Sequence, residues 1–215
     1  MNQMMIIFEI LGTIAFSISG AIEAMKREMD LLGVLVLGLV TAVGGGILRD
    51  VLMGALPPAA LRNPRNALTA LFTALVAFVI GKVLSRQKKE LHNKILNAAL
   101  LLSDAVGLGA FTILGIRFVQ EQSGSENIAL LMFMGVITGV GGGVMRDVFS
   151  GHVPYIFRKH VYATASIVGA VVYLCLHGTG QENPAAVAGL LTVVVIRILA
   201  ARFQWNLPKV HLPSE

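Results

Sequence analysis

Apolar residues fill long uninterrupted stretches of this chain, and short polar segments separate these stretches along its length. A helix needs about 20 consecutive apolar residues to cross the hydrocarbon core of a bilayer, and the stretches meet that length or come close to it. Charged runs, glycines and prolines between them indicate the connecting loops. We therefore predict seven transmembrane helices, near residues 4–24, 31–54, 65–84, 95–119, 127–150, 160–177 and 185–203.

The composition agrees with an integral membrane protein and excludes most other classes. Of 215 residues, 55% are hydrophobic and 13% are charged, and the mean hydropathy is +0.76, whereas soluble domains carry about a quarter charged residues. The net charge of +5 arises mainly from short segments between the helices. No basic face with interleaved aromatic residues is present, so we expect no nucleic-acid partner. The single cysteine, Cys175, excludes a disulfide framework within the chain.

Basic residues are distributed unequally between the two sides of the predicted bundle, eleven on one side and three on the other. The positive-inside rule places the richer side in the cytoplasm, so the N-terminus is outside and residues 204–215 form a cytoplasmic tail. We expect Arg197, near the inner end of the last helix, to extend to the membrane interface. The eleven inner residues are Lys26, Arg27, Lys82, Arg86, Lys88, Lys89, Lys94, Arg158, Lys159, Arg202 and Lys209, and the three outer ones are Arg62, Arg65 and Arg117.

Two segments that lie 97 positions apart have nearly the same sequence. Residues 38–54 read GLVTAVGGGILRDVLMG, and residues 135–151 read GVITGVGGGVMRDVFSG. Upstream of them, residues 9–20 align with residues 104–115 at an offset of 95. We attribute the change of offset to a first loop that is two residues longer in the second copy. The alignment pairs Glu9 with Asp104, Gly12 with Gly107 and Phe16 with Phe111.

The repeat predicts an inverted architecture. Each copy holds three helices, and because three is an odd number the second copy must enter the membrane from the opposite face. The predicted fold is an all-α integral membrane protein with seven transmembrane helices, arranged as two inverted three-helix repeats plus a seventh helix. The single transmembrane domain comprises residues 1–203, with repeat one at about 4–84, repeat two at about 95–177 and the seventh helix at about 185–203.

A triple glycine lies near the middle of the second predicted helix and again in the fifth. Each glycine costs about 1 kcal/mol relative to alanine in a helix interior, so three together favour a kink or an unwound turn. The carbonyl oxygens of an unwound turn can replace water around a monovalent cation. Alternatively, small residues only let helices pack closely, but the duplication at mid-membrane favours an ion path. The candidate path residues are Gly44, Gly45, Gly46, Gly141, Gly142, Gly143, Thr41, Thr138, Asp50 and Asp147.

An Arg-Asp pair follows each glycine triplet. Successive residues of a helix point about 100° apart, so we do not expect the two members of a pair to neutralise each other. An acidic residue of the preceding helix lies in the same half of the membrane as each arginine, and such charges either hold the helices in place or serve conduction. The remaining carboxylates, Asp50 and Asp147, then brace a neighbouring helix or face the path. The predicted structural or gating ion pairs are Glu9 with Arg49 and Asp104 with Arg146.

The sequence contains no arrangement of nucleophile, base and orienting residue, and its histidines lack the spacing that metal sites require. We therefore predict that the protein is not an enzyme and that it has no cofactor and no metal site apart from permeating cations.

The doubled Gly-Gly-Gly-x-x-Arg-Asp motif, with Gly and Pro soon after each copy and a seventh helix appended, resembles the prokaryotic trimeric intracellular cation (TRIC) channel family. The same sequences are also classed as a bacterial glycine-transporter domain family. The resemblance covers residues 4 to about 203. It implies a homotrimer in the prokaryotic inner membrane, surrounded by membrane lipid. It also implies a pore for potassium and other monovalent cations in each protomer, between the repeats, lined by the kinked second and fifth helices.

Two functions remain open from the sequence. In a passive channel, free carbonyl oxygens and acidic side chains provide a continuous hydrated path. In a secondary transporter for glycine or another small amino acid, the same two helices form an occluded pocket at the middle of the membrane. The near identity of the two motif copies favours the channel, because the two ends of glycine differ chemically.

Overall fold

The computed structural model describes residues 3–85, 89–158, 161–178 and 180–205, with the side chains of residues 89, 90, 92 and 158 left aside. Within these ranges all regular structure is α-helical. Long apolar stretches form the long helices because a helix satisfies its own backbone hydrogen bonds without water. The helices are α1 (Gln3–Lys26), α2 (Leu31–Leu52), α3 (Ala59–Arg62), α4 (Arg65–Leu84), α5 (Lys89–Ser123), α6 (Ile128–Phe149), α7 (Tyr155–Arg158), α8 (Ala163–His177) and α9 (Glu182–Arg202).

Six helices of the described chain are long and apolar enough to cross a membrane: α1, α2, α4, α5, α6 and α9. The seventh predicted span corresponds to α8, which is apolar but has only 15 residues. At 1.5 Å per residue α8 is about 22 Å long, shorter than a hydrocarbon core of about 30 Å. A complete seventh crossing therefore stays a prediction.

The ends of α2 and α6 repeat the same local chemistry. Asp30 and Asn127, 97 positions apart, cap the two helices: Asp30 Oδ1 accepts a hydrogen bond from the Gly33 backbone N–H at 2.8 Å, and Asn127 Oδ1 accepts one from the Ala129 N–H at 3.0 Å. Two glycines with positive φ, Gly54 (67°) and Gly151 (75°), follow the helix ends.

The longer first loop that we expected in repeat two is absent. Four residues separate α1 from α2, at positions 27–30, and four separate α5 from α6, at positions 124–127. The two additional residues instead extend the C-terminal end of α5, which runs to Ser123. The change of alignment offset from 95 to 97 is therefore accommodated within a helix.

The two repeats meet at an antiparallel crossing of α2 and α6. A Cβ atom added to Gly45 would collide with the carbonyl oxygen of Thr138, and one added to Gly142 would collide with the carbonyl oxygen of Thr41. These contacts are exchanged copies of each other, since each glycine is 97 positions from its counterpart. Gly45 contacts Thr138, four residues before Gly142, and Gly142 contacts Thr41, four residues before Gly45. The two helices therefore run in opposite directions. This is the geometry of inverted repeats.

The predicted unwound turn at the glycine triplets is wrong. Helical structure continues through both triplets, within Leu31–Leu52 and Ile128–Phe149, so they supply no free carbonyl oxygens in this conformation. The triplets instead let the two helices approach closely, the role of small residues in membrane helix packing. A kink at the triplets stays a prediction.

The orientation of the bundle also stays a prediction. Some of the basic residues behind it, Arg86, Lys88, Lys159 and Lys209, lie outside the described residues, as does the predicted tail from position 206 onward. We call the membrane face at which α1 begins the first face, and the face at which α1 ends the second face.

Candidate ion path

A cavity of about 300 Å³ lies at the first-face side of the crossing between the repeats. Gly46 is the part of the first glycine triplet that lines it, and Phe111 lines it at the level of the crossing. Three acidic and two basic side chains also line the cavity, which gives it a formal charge of −1: Glu9, Asp50, Glu121, Arg49 and Arg117. A cavity at this depth that contains charged side chains and has a net negative charge is of the kind that favours cations.

Glu9 binds a different partner from the one predicted. Its Oε1 atom accepts a hydrogen bond from Asn66 Nδ2 at 2.6 Å, and the predicted ion pair with Arg49 is absent from the described contacts. Asn66 lies in the first turn of α4, which places its amide beside α1. The prediction failed because it considered only charged partners for Glu9.

Arg49 pairs with its own neighbour, which we had excluded. Its Nη2 and Nε atoms donate to Asp50 Oδ1 at 2.7 and 3.0 Å. The arginine side chain is long enough to fold back over one residue, although the two Cβ atoms point in different directions. The guanidinium also lies 3.8 Å from the centre of the Phe118 ring, a cation–π contact.

Asp50 and Asp147 hold the chain that follows each helix, and Asp50 also lines the cavity. Asp50 Oδ2 accepts a hydrogen bond from the Ala59 N–H at 2.7 Å, and Asp147 Oδ2 accepts one from the Tyr155 N–H at 2.7 Å. Each carboxylate therefore caps the short helix after its own, α3 or α7, while its other oxygen binds the adjacent arginine.

The counterpart of the first-face cavity, on the second-face side of the crossing, is filled by a buried charged cluster around Arg146. The Arg146 side chain is fully buried. Its Nη1 atom lies 2.6 Å from Asp104 Oδ1, which is the predicted ion pair, and donates to Ser19 Oγ at 2.5 Å. Its Nη2 atom lies 2.8 Å from Asp147 Oδ1. Arg146 thus joins α1, α5 and α6 at one point.

Arg197 completes this cluster, and the prediction that it extends to the membrane interface is wrong. It is 5% exposed, and its Nη2 atom lies 3.1 Å from Asp104 Oδ2. The guanidinium also lies 4.7 Å from the centre of the Tyr162 ring. Two arginines and two aspartates give the cluster no net formal charge, as burial requires. The sequence contained an indication of this contact. Arg146 is one cation for two carboxylates, Asp104 and Asp147, so one negative charge required a further cation.

Tyr162 is a site residue that sequence reasoning missed, and so is Asn66. Tyr162 donates a hydrogen bond to Asp104 Oδ1 at 3.1 Å, as Asn66 does to Glu9. The two donors lie 96 positions apart, and their acceptors lie 95 apart, so they occupy equivalent places in the two repeats. Extending the repeat alignment into the third predicted span of each repeat, α4 and α8, would have identified both.

Between the cavity and the charged cluster, aromatic and hydroxyl side chains leave little space. The rings of Phe16 and Phe111, counterparts in the repeat, stack with centroids 5.3 Å apart. Thr41 and Thr138 are buried and donate to carbonyl oxygens of their own helices, those of Leu37 and Met134, at 2.6 Å. In this conformation the two hydroxyl groups bind their own helices and do not line the cavity. The cavity ends at these side chains, on the first-face side of the crossing.

Comparisons with known proteins agree with this architecture. The family model described as "Glycine transporter" matches residues 6–82 and residues 101–178, once in each repeat. The chain is 38% identical over 202 residues to the UPF0126 inner membrane protein YadS of Escherichia coli K12, with 93% of each chain covered. It is 39% identical over 213 residues to a UPF0126 membrane protein of Deinococcus radiodurans, with 96% of this chain and 92% of that protein covered.

Solved structures show the same fold. One, from work described as "Structural basis for conductance through TRIC cation channels", superposes with a TM-score of 0.80 at 39% identity, covering 97% of this chain and 98% of that one. The TRIC trimeric intracellular cation channel orthologue from Rhodobacter sphaeroides superposes with a TM-score of 0.84 at 29% identity, covering 95% of this chain and all of that one.

Proposed function

This chain belongs to the glycine transporter family, and we propose that it acts as a passive channel for monovalent cations, potassium among them, in the bacterial inner membrane. The solved relatives described as TRIC cation channels support this function. The observation that carries it is the cavity with a formal charge of −1 that opens from the first face to the crossing of the repeats. The pore continues from this cavity between α2 and α6, within each protomer of a homotrimer.

The second-face cluster is the closed gate of this pore. A buried arginine repels a cation, and Arg146 is fully buried, whereas its counterpart Arg49 lines the open cavity. Conduction therefore requires Arg146 to leave Asp104 and Ser19, which opens a hydrated route to the second face. The cluster joins side chains from four helices and from Tyr162, the residue before α8, so a small shift of any one helix weakens the gate.

The glycine triplets serve this opening through packing. Backbone contact between Gly45 and Gly142 holds α2 and α6 close together, and the absence of side chains lets one helix slide or bend against the other. The carbonyl oxygens and the hydroxyls of Thr41 and Thr138 then come to line the path. Under the predicted orientation, the first face is outside and the second face is cytoplasmic.

A secondary transporter for glycine is the second candidate. The observation that favours it is the asymmetry between equivalent sites, one open to the first face and one closed to the second, which is also the arrangement of an outward-open carrier. In that mechanism the cavity would bind the amino acid between Glu9 and Arg49, and the two faces would open in turn.

Purified protein in liposomes distinguishes the two functions. Potassium flux driven by a gradient and uptake of radiolabelled glycine are measured in parallel, with protein-free liposomes as the control. A channel gives potassium flux that rises linearly with the driving force and no glycine uptake. Saturable glycine uptake without cation conductance would overturn the proposal and establish the carrier.

A further inference from the structure

A two-part crevice lies away from the proposed pore, between α1, α4 and the beginning of α5. Its upper part, about 730 Å³, opens at the second face and is lined by Lys26, Lys82 and three polar side chains, with Glu28 as the one acidic residue. Its lower part, about 260 Å³, continues along the apolar surface of the same helices. The parts are contiguous, since both are lined by Met25, Gly81 and Leu96.

In repeat two, the surface equivalent to this apolar part is covered by another helix. Ile18, Thr73 and Ala77 line it, and the counterparts of these residues in repeat two are Ile113, Gly169 and Tyr173. There α9 packs over them: a Cβ atom added to Gly189 would lie 2.7 Å from Ile113 Cδ1 and 3.0 Å from both Gly169 O and Tyr173 Cβ. In repeat one, no described helix occupies the equivalent groove.

We infer that this crevice binds an anionic phospholipid of the membrane leaflet at the second face. The two lysines attract the phosphate, Lys26 being held in place by a 2.5 Å hydrogen bond from its Nζ atom to Asn97 Oδ1. With Glu28 included, the opening has a formal charge of +1. An acyl chain follows the apolar groove and takes the place on repeat one that α9 takes on repeat two. The lysines at the opening suit a charged headgroup and the apolar groove below suits an acyl chain, whereas a soluble anion would leave the groove empty.

The first test measures headgroup selectivity. Delipidated protein is titrated with phosphatidylglycerol or phosphatidylcholine and analysed by native mass spectrometry. We expect preferential binding of phosphatidylglycerol, weakened about fivefold in Lys82→Gln because each lysine near a membrane surface contributes about that factor. The matched control Lys94→Gln removes one charge from α5 outside the crevice and should bind as the wild type does. Equal binding of both lipids, or an unchanged affinity in Lys82→Gln, would overturn the inference.

The second test examines the groove. Ala77→Phe fills it without changing the charge and should weaken phosphatidylglycerol binding, whereas Leu75→Phe, at an exposed position of the same helix, should not. Displacement of the lipid by inorganic phosphate would show an anion site and would contradict a lipid site. A diazirine amino acid at position 77 should label phospholipid, and a cross-linked product of twice the chain mass would show instead that a second copy fills the groove. None of these measurements depends on ion conduction, so the inference and the proposed function fail separately.

Discussion

Replacing Arg197 by methionine tests the gate without touching the path between the repeats. Arg197 belongs to α9, the seventh predicted span, and its polar contact with the cluster is to Asp104, with 3.1 Å between Nη2 and Oδ2, beside a cation–π contact with Tyr162. The two side chains are 6% and 2% exposed, so the contact is a buried, charge-assisted hydrogen bond. Such a bond contributes about 1.5–3 kcal/mol. If it exists only in the closed conformation, its loss raises the ratio of open to closed channels by about 10- to 150-fold.

Asp104 keeps other partners when this bond is lost. Arg146 and Tyr162 still bind its Oδ1 atom, so the carboxylate is not left as an unpaired buried charge, which would cost about 3–5 kcal/mol. The substitution nevertheless leaves the cluster with a formal charge of −1, so we expect a loss of stability of up to about that figure. Methionine also retains most of the packing volume of the arginine stem.

The assay is single-channel recording from purified protein in planar bilayers. We expect Arg197→Met to raise the open probability and to leave the unitary conductance unchanged. Arg197→Lys keeps the charge and serves as the control, with a smaller increase. An unchanged or lower open probability in an intact assembly of Arg197→Met would show that the cluster does not hold the pore closed.

Two further predictions concern the crossing and the cavity. Gly45→Ala should lower the free energy of unfolding by about 1–3 kcal/mol, because its Cβ meets the Thr138 carbonyl. This loss is measured as a lower thermal unfolding midpoint in detergent. Gly46→Ala should leave the free energy of unfolding unchanged or raise it by at most about 1 kcal/mol, since the nearest atom to its Cβ, Arg49 Nη2, is 4.0 Å away. Equal effects of the two substitutions on the midpoint would contradict the packing role of Gly45. Glu9→Gln keeps the shape and a hydrogen bond to α4 but removes a cavity charge, so potassium conductance at low salt should fall about twofold. Conductance that is independent of Glu9 at low salt would place the path elsewhere.

The sequence predicted the architecture well because hydrophobic length and the internal repeat are strong signals. The bounds of the long helices agree with the predicted spans to within a few residues, apart from the N-terminal extension of α5 to Lys89. The inverted relation followed from the odd number of helices per copy. The exchanged contacts of Gly45 and Gly142 are consistent with it.

The partners of individual charges were harder to predict, because they depend on side-chain reach and on elements outside the repeat. Arg49 folds back onto Asp50, a contact that helical geometry at the level of Cβ atoms does not reveal. Arg197 enters the cluster from a helix that has no counterpart in the other repeat. Glu9 accepts from a neutral amide, which a search limited to ion pairs overlooks.

The most direct test of the path between the repeats is the accessibility of a cysteine at Gly46, on a Cys175→Ser background. Gly46 lines the cavity and has room for a side chain. A charged methanethiosulfonate reagent added from the first face should modify this cysteine and block potassium conductance, while the same reagent should leave the Cys175→Ser parent unaffected. Full modification with undiminished conductance would contradict the account, because ions would then bypass the cavity.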